Sequence, residues 1–506
     1  MAQTKVRKGV LFYLGTLAVL FLAVFLILMC IMIFSPGTSV FGMEYFTNKG
    51  TVKCVKDENG NALGDLTSYD VIEVSGSYSK ITVDKNNRYD SSNNGSILIK
   101  NNAKGFVRSK KANDFSYSIK TSVEDGGIRK IKISVVEQKG FLYFSKDAGV
   151  IINLGNEEQI GANIGETKNF DNTKFVFKTT SGNIEIGGID ANNAGLVNIQ
   201  ELKATTTKGN IRFTNMANPV VGSIDLKTES GDVTSAAKFT SGGKKVGLSI
   251  TNEAKISTAS GQIEIDNVYV ANGLGTLDLT CTGGRLICDN INADLDIRCQ
   301  RGNYTVKHIT GDVSLDKSQN DIESPIITID QIDGDLHIPN GGSSKINIHE
   351  VKGKTYIKTK NGHVKIGGKT KKNGYGGATG EVFVETVKGD IEVYFTASNV
   401  GSNNILTKSG DVELNYLGGV NGLNNVTVKG KGDITVNFTA QSAMRIELRN
   451  AEGTIYSPKA KNIEYSLESG VPNTNPCYVN CDEDSFVNEL NIKGDKDICL
   501  NTVKFK

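Results

Sequence analysis

The chain has 506 residues, with 56 glycines, 7 prolines, no tryptophan, and 57 Lys plus Arg set against 55 Asp plus Glu. That length exceeds one ordinary domain, although a single elongated repeat body could absorb most of it. The charge balance lacks the basic excess of a nucleic-acid binder, and the short apolar runs among Gly, Asn, Thr, Val and Ile describe an all-β chain rich in turns.

Residues 1–9 form a short polar stub carrying Lys5, Arg7 and Lys8. Residues 10–34 contain no charge and are dominated by Leu, Val, Ile, Phe and Met. As a helix they would extend roughly 37 Å, enough to cross a hydrocarbon core of about 30 Å with some tilt. The basic stub predicts a cytoplasmic N-terminus and an extracytoplasmic body at the cell membrane. A cleaved secretory signal is the competing reading, but the apolar run is long for one and Ser35-Pro36-Gly37 makes a poor cleavage site. Either reading exports the body.

Residues 35–70 are expected to be a membrane-proximal linker, with Gly60 to Gly64 as turn material. Residues 71–175 give looser strand signals, among them Val71-Ile-Glu-Val, Lys130-Ile-Lys-Ile-Ser-Val-Val and Gly149-Val-Ile-Ile-Asn-Leu. They read as irregular strands continuous with the repeat body that follows.

Residues 176–470 read as the repeat body, and between residues 177 and 456 they keep rewriting one phrase: Thr, two variable residues, Gly, then apolar residues two and four places on. Thr179/Gly182 leads into Ile184 and Ile186, Thr258/Gly261 into Ile263 and Ile265, and Thr386/Gly389 into Ile391 and Val393. The repeat glycines are Gly182, Gly209, Gly231, Gly261, Gly284, Gly302, Gly334, Gly362, Gly389, Gly410 and Gly432. Alternation of period two on both sides of each glycine describes two half-buried strands joined at a corner. Glycine is expected there for an unusual φ, and the Asp or Asn that often follows for side-chain capping of the turn. The glycines lie about 18 to 30 residues apart, too close for crossover helices, so the units should stack in parallel about 4.8 Å apart as a β-solenoid. The segment GGKTKKNGYGGATG, residues 367–380, reads as a loop thrown out from one coil. Residues 471–506, with proline and cysteine, read as a C-terminal cap over the open strand edges.

Apart from Cys30 in the apolar segment, seven cysteines remain, an odd number. Cys281 and Cys299 each stand three residues before a repeat glycine, where neighbouring coils would bring them together. They could form an inter-coil disulfide or remain two buried thiols, because parallel in-register geometry is not ideal for the bond. Cys477, Cys481 and Cys499 cluster in the tail, where one disulfide could fasten the cap.

The phrases TTSGNIEI, TESGDV, TVKGDIEV and TKSGDVEL, behind an N-terminal apolar segment, resemble the bacterial adhesin-type β-strand-repeat family DUF4097 over roughly residues 70–460. The resemblance implies a β-solenoid at the bacterial cell envelope and brings no catalytic residues. The cysteine-bearing tail departs from the family pattern.

Little in the sequence speaks for chemistry. A row of aspartates after the corner glycines could form a carboxylate ladder for calcium, but GGxGxD is absent and Asp is a common turn choice. His308, His337, His349 and His363 fall at different phases of the repeat, without metal-ligand spacing. Acids and bases alternate rather than converge, and GxSxG, P-loop and GxGxxG motifs are missing. Tyr304, Tyr356 and Tyr375 could stack on glycans or simply pack. The expectation is therefore a non-enzymatic protein without metal or cofactor: a membrane-anchored display, adhesion or envelope-scaffold protein that binds a surface polymer or protein and no nucleic acid. The alternatives are a β-helix enzyme acting on wall or extracellular glycans, and the ectodomain of an envelope-stress sensor.

Overall fold

The computed structural model describes residues 2–35, 38–84, 96–108, 115–137, 140–154, 169–187, 198–214, 220–235, 240–241, 244–245, 248–270, 275–316, 325–370, 374–399, 401–419, 421–439, 444–450, 455–456, 477–479 and 488–502. The protein is all-β, a parallel β-solenoid behind one N-terminal helix, Ala2–Phe34. Its apolar part Phe12–Phe34 is long enough to cross a membrane, and large side chains such as Phe12, Phe21 and Phe34 stand exposed. The chain forms two compact units, residues 1–164 with 175–187, and residues 165–174 with 188–506.

In the first unit the helix is followed by a layer built on the long strand Ser96–Arg108. Met43–Thr47, Thr51–Cys54 and Gly140–Asn153 all pair with it antiparallel. Residues 38–70 are thus part of this unit rather than a linker. Phe46, Leu63, Leu66 and Tyr69 are buried, and the Tyr69 hydroxyl donates to the Leu63 carbonyl at 2.8 Å. These apolar side chains cover a face of the unit, which a linker would not offer. The solenoid pattern also begins here. Lys80–Asp84 lies parallel between Gly140–Asn153 and Ile184–Gly187, stacking Ile81 on Val150 and Ile184. The turn before it is closed by Glu137, whose buried carboxylate accepts the N–H groups of Ser77, Tyr78 and Ser79 at 2.7–2.9 Å.

In the second unit each coil gives one strand to each of two parallel ladders. The first ladder passes from Asn198–Thr206 through Val220–Thr228, Ala254–Thr258 and Thr276–Cys281 to Leu423–Val428. The second passes from Ile211–Thr214 through Val233–Thr234, Ile263–Val270 and Leu286–Asn292 to Ile434–Phe438. Inward residues stack on their equivalents, as in the row Leu226, Ile256, Leu279, Ile297 and Leu315. Each is at most 3% exposed. At about 1.5–3 kcal/mol per buried aliphatic side chain, these rows are what the period-two alternation is for.

The last coil is not where chain order would put it. Glu489–Gly494 pairs in parallel with Leu423–Val428 on one side and with Met444–Asn450 on the other. Likewise Ile498–Thr502 lies between Ile434–Phe438 and Ile455–Tyr456. The tail expected as a cap is therefore divided. Cys477–Val479 runs antiparallel along the outer edge of Met444–Asn450, as a cap would, while the segment after it is an internal coil. Leu490, Ile492, Ile498 and Leu500, each at most 1% exposed, alternate inward about Gly494 and give that segment a full core share.

Candidate interaction surface

The corners explain the repeated phrase. The hydroxyl of Thr228 accepts the N–H of Gly231 at 3.0 Å and donates to the carbonyl of Gly209, one coil earlier, at 3.1 Å. Thr258 repeats this with Gly261 and Gly231, both at 3.0 Å. Threonine is thus a staple between coils, and at Cys281 the thiol replaces it, 3.7 Å from the carbonyl of Gly261. A Cβ on Gly284 would stand 1.6 Å from the carbonyl oxygen of Gly261, and one on Gly261 1.8 Å from that of Gly231. Close approach of the neighbouring coil, more than φ, therefore dictates glycine at most corners. Only Gly302, Gly389 and Gly410 of the eleven combine it with positive φ.

The glycines also fall into two columns. In the second unit Gly209, Gly231, Gly261, Gly284, Gly302, Gly362, Gly389, Gly410 and Gly432 turn from the first ladder to the second. Gly334 turns the other way, in a column with Gly311, Gly353 and Gly380 that was not singled out in sequence. Gly182 lies in the first unit, over the Ser79 carbonyl. The aspartates split accordingly. Asp294 accepts the N–H of Asp312 at 2.9 Å, Asp312 that of Asp335 at 2.7 Å, and Asp335 that of Lys354 at 2.7 Å. On the opposite edge Asp390 accepts from Asp411 and Asp411 from Asp433, both at 2.9 Å. Each carboxylate spends one oxygen on the next coil's backbone, which is why Asp recurs there. Among the described residues no group of three or more His, Cys, Asp or Glu is placed to hold a metal ion.

Cys281 and Cys299 are register partners in adjacent strands. Cys281 and Cys499 are buried, and so is Cys288, whose thiol burial pushes well above its usual range. Cys477 lies in the edge strand, and Cys481 lies outside the described residues.

Outward positions pair across coils. Lys203 meets Asp225 at 2.9 Å, Lys358 meets Glu385 at 3.2 Å and Lys365 meets Glu392 at 2.7 Å. Asp333 gathers Lys352 at 2.7 Å, Gln331 at 2.9 Å and His308 at 3.1 Å. Burial pushes its carboxyl up, but these donors outweigh that and hold it at about 2. His363 faces Asp390 at 3.7 Å, and His349 packs under Gly376.

One outward row differs. His337, Tyr356 and Phe383 are register partners on the first ladder, with ring centroids 4.9 and 4.8 Å apart. Lys358 hangs over both the tyrosine and phenylalanine rings, 5.5 and 5.4 Å from their centroids. Its ammonium is raised by its contact with Tyr356 and then by Glu385. The row continues through Asn404, Asn425 and Asn491. Tyr356 and Phe383 stack at 11° and turn their edges outward, while His337 is tilted 43° to Tyr356. Of the other tyrosines named from sequence, Tyr304 is fully buried core. Tyr375 sits on a small hairpin, Gly368–Thr370 with Gly374–Gly376, and faces Tyr394 at 6.0 Å.

No curated protein matches the chain. Among solved structures, one described as a "putative cell adhesion protein" from Clostridium sporogenes aligns over 90% of this chain and 100% of its own, at 9% identity and a TM-score of 0.15. The model of the Toastrack DUF4097 family matches residues 72–366, more than half of the chain and most of the corners just described. The chain belongs to the Toastrack DUF4097 family.

Proposed function

We propose that this protein is a membrane-anchored, outward-facing display or adhesion protein that binds an envelope polymer or protein partner through the outer face of its first ladder, without catalysis. The observation that carries the reading is the disposition of outward side chains. Acids and bases such as Lys358 with Glu385 and Asp312 are engaged in cross-coil pairs and backbone staples, while the row from His337 to Asn425 repeats aromatic rings and amides at coil spacing. Such a surface suits many weak contacts to an extended partner rather than one deep pocket. Family membership supports a surface role, and the basic stub before the apolar helix supports an exported body.

Co-sedimentation of the full chain in detergent with purified cell-wall sacculi tests this. Retention is expected, with a several-fold loss for the double variant Tyr356→Ser and Phe383→Ser, and no soluble sugar or peptide released. Equal retention of that variant would move the binding face elsewhere. Release of soluble fragments would favour the enzyme reading.

A further inference from the structure

The inserted C-terminal coil carries an inference that is independent of what the outward faces bind. The chain leaves Ile434–Phe438, passes over one coil height, and builds Met444–Asn450 on the far side of a gap. Two coil heights are roughly 9.6 Å, and the few residues from Thr439 to Met444 can extend farther than that, so the gap needs no occupant to be bridged. Residues 488–502 then fill it, after a tether of residues 457–487 of which Cys477–Val479 pairs with the outer edge of Met444–Asn450. By contrast, residues 429–433 suffice to join the two strands of the preceding coil.

The segment is read in detail by the slot. Asn488 accepts the N–H of Gly422 through its side chain at 2.8 Å and that of Arg445 through its carbonyl at 2.9 Å. Glu489 donates its N–H to Gly422 at 2.9 Å and pairs with the Arg445 guanidinium. Asn491 donates to Asn425 at 3.1 Å and Asn501 to Asn437 at 3.0 Å. None of these contacts depends on which chain supplies the segment.

We propose that the slot between Leu423–Val428/Ile434–Phe438 and Met444–Asn450/Ile455–Tyr456 is a peptide-accepting site, and that a second copy of this chain fills it by exchanging residues 488–502. Exchange of an identical element keeps every contact and changes only the tether entropy. A covalent tether of this length gives an effective concentration on the order of millimolar, so the segment closes on its own chain in dilute solution. Crowded copies that fold together exchange it.

The test uses the full chain in detergent and a dye-labelled synthetic peptide of residues 488–502. The variant carrying Leu490→Asp and Ile492→Asp, whose own segment cannot occupy the slot, should bind one peptide per chain. Its affinity should be at least tenfold above that of folded wild type, and a scrambled peptide should not bind. Wild type refolded from urea with excess peptide should retain it through gel filtration. Two differently tagged wild-type chains refolded together near millimolar concentration should yield dimers carrying both tags, and the double variant should yield none. A folded variant that ignores the peptide, or equal binding of the scrambled peptide, overturns the proposal. If the variant does not fold, refolded wild type emerging without peptide overturns it instead.

Discussion

Asn501 donates its side-chain amide to Asn437 at 3.0 Å, and Asn437 donates to Asn415 at 2.9 Å, so one amide ladder joins residues 64 and 22 positions apart. Its middle member also reaches Glu413 at 3.2 Å. Asn437→Ala should therefore cost about 1–2 kcal/mol in urea unfolding, and Asn501→Ala at the end of the ladder roughly half of that.

The corner aspartates act through one oxygen each. Asp312→Asn keeps the acceptor for the Asp335 N–H and relieves repulsion from Asp294 and Asp335, so its melting temperature should equal or exceed wild type. Asp312→Ala should lose about 1–2 kcal/mol, the usual scale for removing a capping acceptor. Added calcium should leave the melting temperatures of wild type and Asp312→Asn alike.

Asp333 gives the fold a pH signature. Its folded carboxyl titrates at about 2, below the ordinary carboxylate value near 3.9. A depressed folded value means the stabilisation is complete above the unfolded value and disappears as pH falls from about 4 through 2. Asp333→Asn should remove about 1–2 kcal/mol of stability at neutral pH, discounted for partial exposure, and flatten the stability curve across that window. Denaturation series at several acidic pH values read both effects.

These interactions mark what could and could not be read from the chain. Period-two alternation about Gly182, Gly261 or Gly389 made the parallel coils legible, because burying one face requires it locally. The reason for glycine was not legible, since the carbonyl that excludes a Cβ at Gly284 belongs to Gly261, one coil away. The two corner columns look alike in sequence, because Gly334-Asp335 reads like Gly389-Asp390 and only the direction of the turn separates them. The final coil did leave a trace: Leu490-Asn-Ile-Lys-Gly494-Asp repeats the corner phrase without its threonine. Its place inside the stack is a non-local pairing that no window of sequence contains. The surface row His337, Tyr356 and Phe383 was hidden likewise, its rings being 19 and 27 residues apart and adjacent only by register.

Tyr416 offers a stabilising change. Its ring stacks on Phe395 at 4.7 Å inside the core, and burial raises its hydroxyl far above the usual value. Among the described residues that hydroxyl has no hydrogen-bond partner. Tyr416→Phe should therefore raise the unfolding free energy by about 1 kcal/mol, since it removes an unpaired polar atom and keeps the stack.

The stacking of coil on coil is tested most directly by two adjacent glycines. A Cβ on Gly283 would lie 3.4 Å from the carbonyl oxygen of Ala259, an ordinary contact, whereas one on Gly284 would lie 1.6 Å from that of Gly261. Thermal and urea unfolding of Gly283→Ala and Gly284→Ala, side by side, should show the first within about 1 kcal/mol of wild type and the second destabilised by at least about 3 kcal/mol. Equal stability of the two variants would contradict the parallel corner-on-corner stack.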